Sequence, residues 1–453
     1  MDLKKRIINA GSWTLAGHFV SQGIRLLSNL IMTRLLVPEM FGIMAIANIV
    51  IVGLGMFSDL GLKQNIIQSK RGEEPLFLNT VWSVQIIRGI FLSILCLLAA
   101  FILNFLNNAQ LLEADNVYAS SLLPEVLMVL SLAPFIQGLE STKIATSNRG
   151  LQLKRIVTLE LIAQLCGFGF MLAWVSFERT IWALVYGALV ARIAKVLLGH
   201  LSLHGHKNRP QWDSKAFNEI FHFGKWMFLS SIMGFLINQG DKLLLGGVMS
   251  ASSFGLYSVA ALIFSSLQML VSKLISSVVF PALGEINRIS PDKVRDKYYG
   301  LRLPIDIFCL ITAGFLYYSG STIVGVLYDK RYIDSGSMLE ILALILLVIR
   351  FGVAGQFYLV MGKPKIMTIL MFSRLICMVI FIPIGFELND DLGAVWGLVL
   401  AYFPGLILTF FYKVQYGLID IKKELYVVPL FLIGMLFGAI FERVTSFYLH
   451  ESI

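Results

Sequence analysis

The sequence is poor in charge. Only 14% of its 453 residues are charged and 57% are hydrophobic, and the mean hydropathy is +0.78. Soluble globular proteins carry about 25% charged residues. A deficit of this size excludes a water-soluble enzyme and a disordered chain. The net charge of +9 does not favour a nucleic-acid binder, because membrane proteins keep an excess of Lys and Arg on the cytoplasmic side.

Residues for redox, metal or nucleotide chemistry are also scarce. The four cysteines lie far apart inside apolar blocks, at positions Cys96, Cys166, Cys309 and Cys377. This pattern excludes a secreted disulfide scaffold and predicts small packing residues. Three histidines between positions 200 and 206 have no Cys or acid beside them, which favours an interfacial loop over a metal site. No catalytic triad or Walker motif is present, so we predict no catalytic residue, metal or cofactor.

Long apolar blocks dominate instead. Each is about 20 residues long, the length at which a helix crosses a bilayer, and continuous apolar character favours helices over a barrel. The sequence predicts 12 to 14 transmembrane spans, and thirteen is the best count. They cover residues 12–35, 40–62, 79–106, 118–139, 155–176, 180–199, 220–246, 252–280, 301–327, 336–361, 365–386, 391–412 and 425–444. The predicted fold class is therefore an all-α polytopic membrane protein whose first span is not a cleaved signal peptide.

Lys and Arg fix the predicted orientation. The basic N-terminus and the even-numbered connections, counted with the span ends beside them, hold nearly all Lys and Arg outside the span interiors. Lys154, Arg295, Arg302 and Lys413 are among these residues. The opposite connections are poor in both, and two of them, 107–117 and 387–391, carry acids alone. The positive-inside rule then predicts a cytoplasmic N-terminus.

The chain repeats after 213 residues. This shift places Gly11-Ser12-Trp13 on Gly224-Lys225-Trp226 and Phe41-Gly42 on Phe254-Gly255. Six spans separate the copies, so both run in the same direction, which predicts two parallel six-helix lobes. The predicted domains are an N-terminal lobe (1–205), a C-terminal lobe (206–415) and an extra transmembrane segment (416–453). A chance match between apolar helices is the alternative.

Polar residues recur at helical spacing in spans 1 and 7. Span 1 carries His18, Ser21 and Arg25 on one face, and span 7 carries Asn238 and Asp241. Since a polar stripe facing lipid is unfavourable, both stripes should face protein or water. This predicts a central hydrated cavity between the lobes, with a polar helix–helix seam as the alternative.

Arg25, Arg88, Arg350 and Arg374 fall well within spans 1, 3, 10 and 11. Each costs about 2.5–3.5 kcal/mol at the bilayer centre on the mildest scales. The acids well inside spans, which are Glu125, Glu160, Asp241 and Asp306, are fewer than these arginines together with the span residues Lys225, Lys242 and Lys273. We therefore predict a cationic cavity that attracts an anionic group, and guanidinium suits phosphate. Internal salt bridges and snorkelling to the interface are the alternatives for each arginine.

Four other positions complete the predicted site. Lys242 and Asn238 join the arginines as substrate-binding candidates. Glu125 and Asp306 each follow a proline in a span, so each is a candidate for proton or sodium coupling. Each is equally a partner for a neighbouring arginine.

Several short motifs together resemble those of Wzx-type polysaccharide flippases. These are Arg34–Gly42 (RLLVPEMFG), Asp59–Leu62 (DLGL), Leu151–Arg155 (LQLKR), Phe223–Trp226 (FGKW), Asn238–Lys242 (NQGDK) and Phe280–Leu283 (FPAL). The resemblance covers residues 10–415 and is closest to the colanic-acid and exopolysaccharide branch of the multidrug/oligosaccharidyl-lipid/polysaccharide exporter superfamily. Val37 departs from the small residue common before Pro38, and that family commonly has fourteen spans.

The resemblance implies a carrier rather than an enzyme, located in the bacterial inner membrane. It would move an undecaprenyl-diphosphate-linked oligosaccharide to the periplasmic leaflet by alternating access. The implied partners are this lipid-linked substrate, membrane lipids, H⁺ or Na⁺ as coupling ion, and a polysaccharide polymerase with its chain-length regulator, without nucleic acid.

Two other functions stay open. A multidrug exporter of the same superfamily should have an acidic cavity for cationic drugs. A membrane-embedded polymerase or glycosyltransferase should have large periplasmic loops, which this sequence lacks.

Overall fold

The computed structural model describes residues 3–112, 116–150, 152–289 and 294–450. Within these ranges the regular secondary structure is entirely helical. The chain divides by its internal contacts into a first unit, Met1–Ser252, and a second unit, Ser253–Ile453. The prediction of an all-α polytopic membrane protein is confirmed.

The first unit contains ten helices. They are α1 (Leu3–Leu35), α2 (Pro38–Met56), α3 (Leu62–Gln68), α4 (Pro75–Asn108), α5 (Leu122–Leu130), α6 (Leu132–Gly138), α7 (Lys143–Arg149), α8 (Leu153–Phe177), α9 (Trp182–Ser202) and α10 (Ser214–Val248). A single 3₁₀ turn, Val117–Ala119, precedes α5.

The second unit contains the remaining helices, with α11 beginning at the division point. They are α11 (Ala251–Leu274), α12 (Phe280–Ile289), α13 (Val294–Leu327), α14 (Asp334–Ala343), α15 (Leu346–Ile349), α16 (Gly352–Val360), α17 (Pro364–Leu400), α18 (Phe403–Gln415), α19 (Ile421–Tyr426) and α20 (Pro429–His450). A π-helical turn, Ile275–Val279, joins α11 to α12.

Each of the thirteen predicted spans overlaps helical structure, although residues 57–61 of the second predicted span lie outside a helix. Among the described residues, nine helical stretches are long and apolar enough to cross a membrane, or ten if the bent pair Leu122–Gly138 and Lys143–Arg149 is one span. One of the nine, Lys365–Gln415, contains two predicted spans. The polar residues of α1 and α10 keep both helices out of that count.

Proline and glycine set the helix boundaries nearest the site. α2 and α4 both begin with proline, whose missing N–H costs nothing in a first turn. After α2 the chain turns through Gly61, whose φ of 59° is a left-handed conformation that glycine adopts easily. The Gly61 N–H donates to Asp59 Oδ1 at 2.9 Å, which fixes this turn.

Small residues let helices of the first unit approach closely. A Cβ added to Gly89 of α4 would lie 2.8 Å from the carbonyl oxygen of Pro134. Gly167 of α8 likewise lies against Ala191 and the Gly187 carbonyl of α9. Close backbone approach through small residues is the usual basis of helix association in membranes.

Two helix contacts in the second unit also depend on glycines that let backbones approach closely. α13 and α20 meet at Gly314 and Gly434, where a Cβ on either glycine would collide with a backbone carbonyl of the other helix. α17 is a helical hairpin whose chain reverses at Asn389 and Asp390, both with non-helical backbone angles. Its two limbs touch at Gly385 and Gly393, again through backbone atoms.

The predicted domain boundaries stay a prediction. The division by internal contacts falls after Ser252, so α10 lies in the first unit, whereas the repeat assigns this helix to the second lobe.

Candidate functional site

A polar cavity of about 410 Å³ lies inside the first unit. It is enclosed by the ends of α2 and α3, by α4, by α6 and by α9. We call it the polar cavity. Its charged and amide side chains are Asp59, Lys63, Gln64, Gln85, Arg88, Gln137, Glu140 and Arg192.

Arg88 of α4 is held at the end of α2. Its Nε donates to Ser58 Oγ at 3.0 Å and its Nη2 donates to the Gly55 carbonyl oxygen at 2.6 Å. Both acceptors belong to the last turn of α2 and the residues after it, where helix carbonyls lack partners and carry partial negative charge. A guanidinium has five N–H donors, so these two bonds fix its position and leave three donors.

The polar cavity has three cationic side chains, Lys63, Arg88 and Arg192, and two carboxylates, Asp59 and Glu140, so its formal net charge is +1. Asp59 accepts from Ser231 Oγ at 2.9 Å, and Glu140 forms an ion pair with Lys195 at 3.0 Å. In the described part of the chain, no carboxylate lies within ion-pair distance of Arg88 or Arg192. Arg192 donates to the Ala188 carbonyl of its own helix at 3.2 Å. An anion is therefore the complementary ligand.

A second, apolar cavity of about 510 Å³ adjoins the same helices. We call it the aromatic groove, because six of its twelve lining residues are aromatic. They are Phe57, Phe91, Trp212, Phe217, Phe221 and Phe228. Arg88 is its only charged lining residue in the described structure.

The loop before α10 is tied to the start of α4. Asn79 Oδ1 accepts from the Arg209 N–H at 3.0 Å, and Thr80 Oγ1 accepts from the Asp213 N–H at 3.0 Å. Asp213 also caps α10 and accepts from Arg71 Nη2 at 3.0 Å, and this hydrogen bond lowers the pKa of the Asp213 carboxyl. These bonds fix the wall of the aromatic groove that carries Trp212.

Like Arg88, the predicted arginines Arg25 and Arg374 have no carboxylate partner in the described part of the chain. Arg25 is exposed in the middle of α1, and no hydrogen bond or ion pair joins it to another described residue. Arg374 of α17 lies over the Tyr402 ring at 3.9 Å, and its buried Nε has no hydrogen-bond partner among the described residues.

Arg350 and Asp306 lie together, as the salt-bridge alternative requires. Arg350 Nη1 donates to Asp306 Oδ1 at 3.2 Å, and Arg302 Nε donates to the same oxygen at 3.0 Å. Arg302 also pairs with Glu424, which contacts Lys413. We call these five residues the charge cluster. Its three cations and two carboxylates give a formal net charge of +1.

The other predicted residues are dispersed. Asn238 is exposed and donates to the Gly234 carbonyl at 2.7 Å, and Lys242 donates to Gln239 Oε1 at 3.0 Å. Glu125 is exposed in the first turn of α5, where a carboxylate interacts favourably with the helix dipole. α13 continues through Pro304 as one helix, so the proline before Asp306 does not end the helix.

Sequence reasoning missed three buried or cavity-lining cations. Arg302 and Lys413 were assigned to cytoplasmic connections, but both side chains are fully buried in helices. The Arg302–Asp306 spacing of four residues on one helix is the signal that points to their pairing. Arg192 lies in span 6, and the criterion used for the other four arginines would have found it.

The chain is similar to proteins of surface-polysaccharide assembly. A family model described as "Polysaccharide biosynthesis protein" matches residues 31–337. The lipopolysaccharide biosynthesis protein WzxC of Escherichia coli (strain K12) is 23% identical over 420 residues, which cover 92% of this chain and 82% of that protein.

Two solved transporters share the fold. The lipid II flippase MurJ, in an inward closed conformation, has a TM-score of 0.68 at 14% identity and covers 97% of this chain and 99% of its own. A multidrug resistance MATE family transporter in an inward-facing conformation has a TM-score of 0.66 at 15% identity, covering 90% and 95%. At such identities the likeness concerns the fold alone. The family model, by contrast, spans more than half of the chain, and this protein therefore belongs to that family of polysaccharide biosynthesis proteins.

Proposed function

We propose that this protein is a flippase for lipid-linked oligosaccharides. It would carry an undecaprenyl-diphosphate-linked repeat unit across the bacterial inner membrane, from the cytoplasmic to the periplasmic leaflet, by alternating access. The observation that carries the proposal is the polar cavity, where Arg88 and Arg192 have no carboxylate within ion-pair distance in the described structure. The name of WzxC and the family description support the same class of substrate.

The diphosphate is the part of such a substrate that resists entering hydrocarbon. Guanidinium groups offset this cost, because each can donate two N–H groups to phosphate oxygens at once. Arg25 and Arg374 are further proposed contacts, since both lack carboxylate partners in the described structure. Lys242 and Asn238 are proposed to contact the polar part of the substrate.

The charge cluster receives a different role in this proposal. Arg350 is buried and already neutralised by Asp306, so we propose that it shapes the second unit rather than meeting the diphosphate. Asp306 accepts from two arginines, which leaves it poorly placed to bind Na⁺ or H⁺. Glu125, which is exposed, is the better of the two proposed ion-coupling residues.

The charge of the polar cavity also separates the proposal from the multidrug alternative. A cationic drug would be repelled by Arg88 and Arg192, whereas an anionic headgroup is attracted. Movement of the substrate across the membrane involves no chemical step, so the proposal needs no polymerase or glycosyltransferase activity.

The test is transport by the purified protein in proteoliposomes. A fluorescent undecaprenyl-diphosphate oligosaccharide is placed in both leaflets, and the fraction reached by an impermeant quencher is followed with time. Protein-free liposomes and a cationic dye are the controls. We expect the protein to speed movement of the lipid-linked oligosaccharide. Transport of the dye alone would assign the protein to the multidrug alternative.

A further inference from the structure

The polar cavity and the aromatic groove meet at one side chain. Arg88 is the only residue of the described structure that lines both. On one side of it lie amides and charges, and on the other side lie phenylalanine and tryptophan rings. A ligand that occupied both spaces would need a polar part and an apolar part, joined near a guanidinium.

The aromatic groove is open along its length. Ile87 and Phe91 of α4 are 56% and 53% exposed, and Phe221 of α10 is 56% exposed. Apart from Arg88, the described walls offer no charge. An apolar chain is therefore the only part of a ligand that this groove can accept without leaving polar groups unsatisfied.

Arg88 is held in a fixed position between the polar cavity and the aromatic groove, where it can bind a phosphate. The Gly55 carbonyl and Ser58 hold two of its five N–H groups, so the guanidinium is fixed before any ligand arrives. Fixing a side chain in advance lowers the entropic cost of binding. The remaining donors can meet phosphate oxygens, and charge-assisted bonds of this kind are roughly twice as strong as neutral ones.

We propose that the aromatic groove holds the polyprenyl tail of the substrate, with the first phosphate at Arg88 and the saccharide directed into the polar cavity. This inference rests on the proposed flippase function and adds the place where the tail is bound. Isoprene units are planar at their double bonds and lie flat on aromatic rings, whereas a saturated acyl chain gains less from such walls.

The position of the aromatic groove agrees with entry from the cytoplasmic leaflet. Its lining begins at the end of α2 and at the loop that carries Trp212. Both segments lie on the side that the distribution of Lys and Arg predicts to be cytoplasmic. A lipid made on that side would meet Arg88 without first crossing the bilayer.

Photolabelling of the purified full-length protein tests the inference. The probe is undecaprenyl phosphate with a diazirine in its tail, and the comparison probe is phosphatidylglycerol with a diazirine in its acyl chain. Both are used in liposomes of phosphatidylethanolamine and phosphatidylglycerol. We expect the polyprenyl probe to label peptides around Phe91 and Phe221, and unlabelled undecaprenyl phosphate to reduce this labelling about tenfold.

Variants distinguish labelling in the aromatic groove from labelling elsewhere on the lipid-facing surface. Arg88→Ala should weaken labelling by the polyprenyl probe about tenfold at limiting concentration, the change expected for one lost charge-assisted contact. Arg88→Lys should weaken it less. Phe91→Ala should reduce labelling at Phe221, whereas Phe101→Ala, on the same helix and equally exposed at 57%, should not.

Two results would overturn the inference. One is equal labelling of the groove by both probes, and the other is labelling of the wild-type protein that undecaprenyl phosphate does not displace. The displacement arm uses wild-type protein, so it holds even if a variant fails to fold. Transport in proteoliposomes without specific labelling would reject the groove and keep the flippase function. Specific labelling without transport would reject the flippase function and keep the groove.

Discussion

Arg302 and Glu424 form a two-pronged ion pair, with Nη1 to Oε1 at 2.7 Å and Nη2 to Oε2 at 2.9 Å. The two residues lie 122 positions apart, on α13 and α19. The Arg302 side chain has no exposed surface. The pair therefore fixes the six-residue helix α19, which could not be stable alone, against a long span.

Removing one partner of this pair should destabilise the protein strongly. Glu424→Gln leaves Lys413 buried without a carboxylate and Arg302 with Asp306 alone, and breaking a buried pair in this way costs about 3–5 kcal/mol. Lys423→Ala is the matched control, because Lys423 pairs with Asp420 at the surface, at 3.3 Å. Thermal unfolding in detergent should show a clear loss for Glu424→Gln and almost none for Lys423→Ala. Equal losses would contradict the role given to the charge cluster.

Arg25 should contribute to transport rather than to stability. It is exposed on α1, so Arg25→Ala should leave the melting temperature unchanged and lower the transport rate by about 10- to 100-fold, the equivalent of about 1.5–3 kcal/mol. Arg25→Lys should keep part of the rate, since the charge remains without the two-pronged geometry. Arg374→Ala should also slow transport, whereas Arg179→Ala in an exposed loop should not. Full transport by both Arg25→Ala and Arg374→Ala would remove these residues from the site.

A methyl group at the crossing of α13 and α20 should not be tolerated. The Cβ of Gly314→Ala would collide with the Phe431 carbonyl, and overpacking of this kind costs about 1–3 kcal/mol. Gly325→Ala lies on the same helix with nothing within 4 Å, so it should be neutral or slightly stabilising. Melting temperatures of the two variants test the contact. A lower value for Gly325→Ala than for Gly314→Ala would show that the helices do not cross there.

The Arg71–Asp213 pair predicts a dependence of stability on pH. The hydrogen bond from Arg71 lowers the pKa of the Asp213 carboxyl in the folded state below its ordinary value of about 3.9. Its stabilisation is therefore complete above that value and lost as the pH falls through the lowered pKa. The melting temperatures of wild-type protein and Asp213→Asn should differ at pH 7 and converge below about pH 4. A difference between wild-type protein and Asp213→Asn that stays constant from pH 7 to below about pH 4 would refute the assignment.

The predicted orientation can be checked in intact cells. In a cysteine-free background, Lys207→Cys and Glu178→Cys place single thiols in exposed loops on opposite predicted sides. In intact cells, an impermeant maleimide should label Glu178→Cys but not Lys207→Cys. It should label Lys207→Cys only after the cells are opened. The reverse pattern would invert the topology.

The positions of the spans could be predicted because each rests on about 20 residues of summed hydropathy. The hydropathy of the sequence does not predict which residues contact each other, as Arg350 shows. Its place in a span is visible in the sequence, but its partner Asp306 lies 44 residues away, and only packing of α13 against the segment that carries Arg350 brings them together. Lys413 was misplaced for a related reason, since a basic residue near a span end counts towards the cytoplasmic side whether or not it is buried.

The aromatic groove could not be predicted for a geometric reason. Phe91 and Phe221 belong to helices far apart in sequence, and apolar residues in spans are too common to single out a few of them. Arg88 was predicted from its position alone. Its contacts with Gly55 and Ser58 depend on where α2 ends, and the boundaries of helices are the least certain part of a sequence-based assignment.

The hairpin of α17 has a consequence for how this chain enters the membrane. Its limbs are joined by a reversal at Asn389 and Asp390 and touch through the backbone at Gly385 and Gly393. Because so few residues join the limbs, we expect the eleventh and twelfth spans to insert as a helical hairpin, with the acidic turn at Asp390 and Asp391 as the only segment between them that crosses the bilayer.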